Sequence, residues 1–579
     1  MQPNRHQLPR RSFLQKAGML GASFFLAGPG ELSAKENHPM NNPASGKAAA
    51  QKMIEVSTSK GTLGGLLNEQ TGVLNFKGIP YAQSIAGSNR FRPPQPVKPW
   101  SGSRPALRFS DSSPQQSKGL IGPSPVTPAF TPPDYVHPGD DCLALNVWAP
   151  KGADGSLPVM VWLHGGGWTS DSGTCKIYDG ENLASRGDVV VVTVNHRLGA
   201  SGLTDFSRLL GGEFADSSNL SIRDLVAALE WVRDEISAFG GNPNLVTIFG
   251  ESGGGWKVST LLGTPSAQGL FHRAIIQSGP LTRFATQEQA DEVAKIVLSE
   301  LGLTAETAHK LNELSWQEVV TAEAKVLAEI PMMGGAPGFP TGFWPVLDGE
   351  FLPRHVFDPD AAPSSRDVPL LIGQTGTEFT LFMLGDKDAY TMTEANLEKR
   401  VESAFGKEDA PKILQSYRRD FPDYDPSGLW FRLYSDFAMG ALTSAIQDVR
   451  SKTGAAPVYA YRFNWQTPLL KGKLYSPHTI EIPFVFDNVN TETGSIVTGG
   501  GEEVARLADT VSTAWVEFAR TGRPSAPNLP EWPVFSPEER RSMHIDTTSE
   551  VRPYIDSETL EIFWSKLSQQ AKLPEPVTR

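Results

Sequence analysis

Cysteine is almost absent from this chain. Its 579 residues contain only two, Cys142 and Cys175. Two cysteines do not make the disulfide framework that holds many small secreted domains together. We therefore expect both to be free, buried thiols, although an exported protein could join them. The sequence also lacks the CxxC and HExxH patterns that bind metals, so it predicts no metal site and no other cofactor.

Long apolar runs and basic blocks are missing as well. The sequence has no uninterrupted apolar stretch of roughly 18 residues, so we expect no membrane insertion of the mature protein. The formal net charge is −12, and no basic block follows the N-terminus, which argues against a nucleic-acid partner. The hydrophobic content of 39% is enough for a large core, and we expect one large domain. A monomer and a dimer both stay open.

The N-terminus has the pattern of an export signal rather than of a folded element. Arg10 and Arg11 precede a modest apolar stretch at 17–27, an order typical of twin-arginine signals, with a basic amphipathic helix as the alternative. We place the signal at 1–34, with cleavage as late as residue 50, and a linker at 35–52. The expected location is periplasmic or extracellular.

Short β-branched runs then alternate with helical patterns. The predicted strands are 159–163, 189–194, 245–249, 273–276, 368–372 and 458–463. Helices are predicted at 224–239 and 558–567, and a Pro-rich surface loop at 121–138. The second helix places Leu560, Phe563, Trp564 and Leu567 on one face, so we expect it to dock on the core. This βαβ rhythm predicts an α/β fold with a mostly parallel, doubly wound central sheet and helices on both faces. A single domain should span 53–570, followed by a tail at 571–579.

The sequence GESGGG at 250–255 directly follows the predicted strand 245–249. A strand, a sharp turn and a helix in this order hold a serine hydroxyl clear of its neighbours, where a base and backbone N–H groups can reach it. The pattern predicts that Ser252 is a nucleophile. A Gly/Ser-rich turn without chemistry is the alternative for an isolated match.

A second glycine-rich turn, HGGGW at 164–168, follows the predicted strand 159–163. Without side chains in the way, backbone N–H groups can turn inward and stabilise a tetrahedral oxyanion. The expected donors are Gly166, Gly167 and Gly253, the last being the residue after the nucleophile. The HGGGW turn and GESGGG together are much more specific than either alone.

The remaining partners follow from chain order, which in this type of site is serine, acid, histidine. Five histidines follow Ser252: His272, His309, His355, His478 and His544. The best acid candidate is Glu378, which follows a predicted strand, although an ordinary surface carboxylate is its alternative. Only His478 and His544 come after it. His544 lies in a strand-like segment, whereas His478 lies in a loop, and we assign the base to His478.

These ordered motifs resemble the type-B carboxylesterase/lipase family of α/β-hydrolases. The resemblance covers nearly the whole chain after residue 53 and includes FKGIPYA, RFRPP, DDCLALNVW, HGGGW, VNHRLG, GESGGG, RAIIQSG, HTIEIPFVF and WVEFARTGRP. The family pattern places nucleophile, acid and base on Ser252, Glu378 and His478. It further implies that Ser278 is a buried hydroxyl near them and that Glu481 is a structural carboxylate near the histidine.

The chain also departs from the family pattern. Residues 112–116 read SSPQQ where relatives often carry a cysteine that pairs with the equivalent of Cys142. Gly253 replaces a usual alanine, and Thr479 follows the base where a glycine or alanine is usual. The tryptophan that holds the ammonium group in cholinesterases has no counterpart before Cys142, so choline esters are not the expected substrates.

The resemblance implies a secreted serine hydrolase that cleaves small carboxylic esters, apolar or bulky, through an acyl-enzyme. The predicted pocket residues are Trp168, Trp256 and Phe379, with further candidates at Met332, Met333, Phe339, Phe343 and Trp344. A carbamate or amide hydrolase and a lipase would use the same triad. A non-catalytic binding protein of the neuroligin type is a further alternative, although such relatives characteristically lose the nucleophile.

Overall fold

A computed structural model of the protein describes residues 51–116, 126–130, 137–330 and 342–570. The predicted export signal, most of the Pro-rich segment 121–138 and the C-terminal tail lie outside the described residues. The pocket candidates Met332, Met333 and Phe339 do so as well.

Thirteen strands form one sheet in the described part of the chain. They are β1 (Gln51–Thr58), β2 (Gly61–Asn68), β3 (Val73–Pro80), β4 (Ser103–Pro105), β5 (Ala144–Pro150), β6 (Leu157–Leu163), β7 (Val190–Val194), β8 (Gly241–Glu251), β9 (Arg273–Gln277), β10 (Leu370–Thr375), β11 (Val458–Phe463), β12 (Arg541–Ile545) and β13 (Glu550–Pro553). All six predicted strands are present as β6 to β11, with ends that differ by up to four residues.

The strand order is β1-β2-β3-β5-β7-β6-β8-β9-β10-β11-β12-β13, and β4 pairs with β2. The seven neighbouring strands β7-β6-β8-β9-β10-β11-β12 are parallel to one another. The pairs β1/β2, β2/β3, β3/β5, β5/β7 and β12/β13 are antiparallel. The predicted α/β fold with a mostly parallel central sheet is confirmed. From β6 the chain goes to β7 on one side and then to β8 on the other, and open α/β sheets place their sites at such reversals.

The strand register brings the sequence motifs together at the carboxyl edge of the sheet. Leu163, the last residue before HGGGW, pairs with Gly250 of GESGGG. Glu251 pairs with Gln277 at the end of β9, and Gln277 pairs in turn with Gly373 of β10. The loops that follow β6, β8, β9 and β10 therefore leave the sheet side by side.

Helices cover the sheet and form a peripheral layer. They are α1 (Thr127–Phe130), α2 (Glu181–Gly187), α3 (Gly199–Leu203), α4 (Ser207–Leu210), α5 (Leu220–Glu235), α6 (Gly253–Leu262), α7 (Gln287–Glu300), α8 (Trp316–Glu329), α9 (Phe379–Phe382), α10 (Glu394–Phe405), α11 (Ala410–Asp420), α12 (Pro426–Ser435), α13 (Ala441–Thr453), α14 (Ile482–Val485), α15 (Glu492–Thr498), α16 (Glu502–Thr521) and α17 (Ser557–Gln570). The predicted helix 224–239 is α5 with a short 3₁₀ turn after it, and 558–567 lies in α17. None of the helices in the described ranges has the length and apolarity to cross a bilayer.

Buried side chains form two cores that the sheet separates. Val161 and Leu163 of β6 belong to one, whereas Trp162 between them belongs to the other, as the two-residue period of a strand requires. The two cysteines fall on opposite sides of this division, Cys142 in the first core and Cys175 in the second. Both are buried free thiols, as expected.

A third apolar cluster is formed by the peripheral helices α10, α11, α12 and α13 together with the last helix, α17. Leu560, Phe563 and Leu567 of α17 are buried in it. Trp564, predicted on the same face, is only partly buried and donates its indole N–H to the carbonyl oxygen of Ala441 at 3.1 Å. The last helix is therefore docked as its pattern predicted.

Glu323 of α8 is a buried acid without a cationic partner among the described ion pairs. Its carboxylate accepts the backbone N–H of Ala200 at 2.8 Å, and only 1% of the residue is exposed. Burial raises the pKa of Glu323 from 4.5 to about 8, against the lowering effect of the Ala200 hydrogen bond. At neutral pH the side chain is therefore a neutral acid.

Candidate active site

Ser252 occupies a strained turn between β8 and α6. Its φ of 57° and ψ of −123° are unusual for a residue with a side chain. The turn is very tight, because a Cβ at Gly254 would lie 2.0 Å from the carbonyl oxygen of Leu163. The backbone N–H of Ser252 donates to the Gln277 carbonyl at 2.9 Å. The strand, turn and helix that GESGGG predicted are thus present, and the half-buried serine lies at the carboxyl end of β8.

The HGGGW turn packs directly against the start of α6. Gly166 and Gly167 have φ values of 72° and 61°. A Cβ at Gly253 would lie 2.5 Å from the backbone nitrogen of Gly167, so the glycine that replaces the usual alanine matches a close approach of the two segments. The structure therefore brings Gly166, Gly167 and Gly253 together beside Ser252.

His478 and Glu378 lie in contact at this edge of the sheet. Nδ1 of His478 hydrogen-bonds to the Glu378 carboxylate, and both residues are almost completely buried. Nε2 of His478 faces the turn that carries Ser252 and lies 3.3 Å from Oε1 of Glu251, the residue before Ser252. Neither Nε2 nor this Oε1 has a hydrogen-bond partner among the described residues. Glu378 therefore orients the ring so that Nε2 lies beside the carboxyl group of Glu251, one residue before Ser252.

Three hydrogen bonds hold the Glu378 carboxylate. In addition to His478, its Oε1 accepts the Ser278 hydroxyl at 2.6 Å and the Thr375 N–H at 2.7 Å. Burial alone would raise the pKa of Glu378, but His478 and these two donors together keep it below its ordinary value. Glu378 is therefore the ionised carboxylate of the site, which suits a group that must stabilise an imidazolium.

Two further buried carboxyl groups surround the pair, Glu251 and Glu481. Burial raises the pKa of Glu481 to about 8, and the charge of Glu378 acts in the same direction. The pKa of Glu251 is raised well above its ordinary value by burial and by the fields of Glu481 and Glu378. The Ser278 hydroxyl also reaches Oε1 of Glu481, at 3.4 Å. The surroundings thus lower the pKa of Glu378 and raise the pKa values of the other two acids, a divergence typical of catalytic sites.

His544, the rival base, lies elsewhere in the sheet. It belongs to β12, and its Nδ1 accepts the Arg552 Nε–H at 3.0 Å from the neighbouring strand β13. Burial and nearby arginines lower its pKa well below the ordinary value. No described hydrogen bond or ion pair links His544 to a carboxylate.

The aromatic candidates separate into two groups. Trp168, Trp256 and Trp344 form one cluster, with ring centroids 4.8 to 6.4 Å apart. Phe379 packs instead against Phe382 and Tyr434.

The ring beside the histidine is Phe382, whose centroid lies 5.0 Å from that of His478. Sequence reasoning missed Phe382, although it occupies the helical position one turn after Phe379. It also missed Glu251, which lies inside the GESGGG motif itself.

A largely parallel sheet with a serine elbow, a glycine-rich turn and a buried acid–histidine pair at its carboxyl edge defines an α/β-hydrolase. The chain belongs to the carboxylesterase family, whose pattern matches residues 52–563. It is a carboxylic ester hydrolase, as expected from its motifs.

Named relatives agree with this assignment. Para-nitrobenzyl esterase of Bacillus subtilis (strain 168) is 34% identical over 495 residues, which cover 85% of this chain and 94% of the relative. Phenmedipham hydrolase of Pseudarthrobacter oxydans is 33% identical, with 83% and 92% covered. Among solved structures, an esterase from anaerobic Clostridium hathewayi that can hydrolyse aliphatic aromatic polyesters superimposes with a TM-score of 0.75 at 32% identity, covering 89% of this chain and 100% of that one.

Proposed function

We propose that ester cleavage proceeds through an acyl-enzyme on Ser252. His478 takes the serine proton through Nε2 while Oγ attacks the ester carbonyl, and it returns the proton to the leaving alcohol. Glu378 fixes the tautomer through Nδ1 and stabilises the imidazolium. The N–H groups of Gly166 and Gly167, together with that of Gly253, bind the oxyanion. Water then cleaves the acyl-enzyme by the same steps.

The observation that carries this proposal is the orientation of His478. Its Nδ1 is bonded to a buried, ionised carboxylate, while its Nε2 is bare and faces the residue before Ser252. A hydrogen bond from Ser252 to His478 is not formed in this structure. Such bonds often tighten only when substrate is bound.

Ser252→Ala tests the nucleophile. The variant should fold normally and lose on the order of 10⁴-fold or more of kcat on p-nitrophenyl butyrate. An organophosphonate should label Ser252 in the wild-type enzyme, seen as a mass increase on the peptide that contains it. More than a few per cent of wild-type turnover in a purified variant would refute the assignment.

We further propose that the preferred substrates are small esters with an apolar or bulky acyl or alcohol group. Two half-buried rings support this, Trp256, which packs on the buried Trp168 and Trp344, and Phe382 beside His478, because apolar surfaces bind apolar groups. The test is kcat/KM on p-nitrophenyl esters of graded chain length and on bulky aromatic esters. A steady fall with increasing acyl size from acetate would contradict it, and faster turnover of emulsified than of soluble esters would indicate a lipase.

Carbamate or amide hydrolysis would use the same residues, and one relative is named for the hydrolysis of phenmedipham. Parallel assays on an ester, a carbamate and an anilide with the same p-nitrophenyl or p-nitroanilide leaving group separate these activities. We expect the ester to be cleaved fastest.

Export through a twin-arginine signal is also proposed, on the strength of Arg10, Arg11 and the apolar stretch behind them. Changing both arginines to lysine should leave active enzyme in the cytoplasm. Esterase assays on periplasmic and cytoplasmic fractions measure this, and unchanged export of the double variant would contradict the proposal.

A further inference from the structure

Lys257 is a fully buried lysine five residues after Ser252 on helix α6. Its Nζ donates to the carbonyl oxygens of His164, Gly165 and Gly167, at 2.7, 3.2 and 3.1 Å. All three acceptors belong to the HGGGW turn. No ion pair of Lys257 is found within the described residues, and its Nζ also lies 5.7 Å from the centre of the Trp168 ring. Its hydrogen-bond partners are therefore backbone carbonyl groups.

The number of donors and acceptors shows which form of the side chain fits. An ammonium group has three N–H donors and no acceptor, and here it faces three carbonyl oxygens. A neutral amine would turn its lone pair towards one of them. Burial lowers the pKa of Lys257 to about 7, whereas the field of Asp171 favours the charged form. The hydrogen bonds therefore select the ammonium in a place where burial opposes it.

These bonds determine where the oxyanion donors point. A peptide unit is planar and trans, so its C=O and the N–H of the next residue point in opposite directions. With the Gly165 carbonyl directed at Lys257, the Gly166 N–H is directed away from it. The Gly166 carbonyl accepts from the N–H and hydroxyl of Ser170, at 3.1 and 3.0 Å, and this fixes the Gly167 N–H in the same way.

We propose that Lys257 is a positioning residue of the oxyanion hole: its ammonium ties the HGGGW turn to helix α6 and aims the Gly166 N–H. The third donor, Gly253, begins the same helix, so one side chain fixes the distance between donors on two segments. The role rests on the mechanism proposed above. It assigns to Lys257 no contact with substrate.

The test compares Lys257→Met with Thr260→Val. Thr260 is also fully buried on α6, and its hydroxyl only donates to the Trp256 carbonyl, at 2.8 Å, so it controls for a buried polar loss on this helix. Two quantities are measured on each folded variant: kcat and KM on p-nitrophenyl butyrate, and the inhibition constant of a trifluoromethyl ketone. This ketone accepts Ser252 Oγ at its carbonyl carbon while the serine proton passes to His478, and it forms an oxyanion without turnover.

Lys257→Met should lower kcat by about 100-fold, the loss typical for one oxyanion donor, with KM changed less than threefold. The inhibition constant should rise by a similar factor. Thr260→Val should change neither. Turnover of Lys257→Met within about fivefold of wild type, or a loss confined to KM, would overturn the proposal.

A second variant, Lys257→Gln, keeps two N–H donors but no charge, and it should lose at least tenfold in kcat. If neither lysine variant yields a folded chain, Lys257 serves the fold and the positioning role is refuted. The Ser252→Ala result separates the two proposals: an inactive Ser252→Ala with a fully active Lys257→Met refutes only the role of Lys257.

Discussion

Replacing Glu378 by glutamine removes one charge and keeps the number of non-hydrogen atoms, yet the structure predicts a severe loss of rate. The backbone N–H of Thr375 points at Oε1 of Glu378 from 2.7 Å and cannot be turned away. The glutamine must place its carbonyl oxygen there, so its NH₂ group faces Nδ1 of His478. An N–H donor at this position forces Nδ1 to be the unprotonated nitrogen and places the ring proton on Nε2. The nitrogen that should accept the Ser252 proton is then already protonated.

The magnitude follows from two losses, the wrong tautomer and the missing stabilisation of the imidazolium. Together they should lower kcat by about 10³- to 10⁴-fold, or about 4 to 5.5 kcal/mol of transition-state stabilisation. KM should change little, because Glu378 is completely buried behind the histidine. The measurement is steady-state turnover of p-nitrophenyl butyrate at pH 7, with the active enzyme counted by phosphonate titration.

Glu481→Gln is the matched control for this experiment. Burial already keeps Glu481 protonated at pH 7, since its pKa is raised to about 8, and an amide resembles a neutral acid in shape. We expect its turnover to stay within about tenfold of wild type. The reasoning is refuted if Glu378→Gln retains more than a tenth of wild-type kcat, or if the two variants lose activity equally.

Three other changes have clear expectations. His478→Ala should lose on the order of 10⁴-fold in kcat and His544→Ala little, measured on the same ester; the reverse would move the base to β12. In the wild-type protein, Glu323 should make the free energy of unfolding fall as the pH rises from about 4.5 to 8, and Glu323→Gln should make this fall smaller. In that range the unfolded acid is ionised while the folded acid keeps its proton, at a cost of up to about 5 kcal/mol at pH 8. Denaturant midpoints measure this, and an unchanged pH slope would contradict it. Replacing Cys142 and Cys175 by alanine should leave kcat intact; a bridge between them in non-reducing mass spectrometry would contradict the free-thiol state.

Much of the fold was predictable because the strands of a buried parallel sheet consist of apolar, β-branched runs that can be recognised in the sequence. The six runs that predicted strands are the contiguous parallel centre of the sheet, where both faces are buried. The flanking strands β1 to β5 were not identified. The described side chains of β1 are all exposed or half-buried, and β2 contains three glycines, so neither strand carries a strong apolar strand signal.

The site residues could be predicted where they lie in a recognisable motif. The pKa values of the neighbouring carboxyl groups and the aromatic contact of the histidine could not. Chain order and loop context were enough to predict Glu378 and His478. The raised pKa values of Glu251 and Glu481 could not be predicted, because they depend on carboxyl groups that meet from the end of β8 and from the residues before α9 and α14. Phe379 and Phe382 are three residues apart, and only the direction of the short helix α9 decides which ring meets the histidine.

Gly253, which replaces the alanine usual in the family, and the buried Lys257 belong to one structural arrangement. Lys257 holds three carbonyls of the HGGGW turn against α6, and this brings the Gly167 backbone to within 2.5 Å of the place where a Cβ at Gly253 would be. An alanine at 253 would need the turn to move outwards, which would stretch the lysine hydrogen bonds. A turn tied by Lys257 therefore requires glycine at 253. Both residues follow Ser252 within one and a half helical turns, so a single rigid segment carries the proposed nucleophile, one proposed oxyanion donor and the side chain that we propose aims the Gly166 N–H.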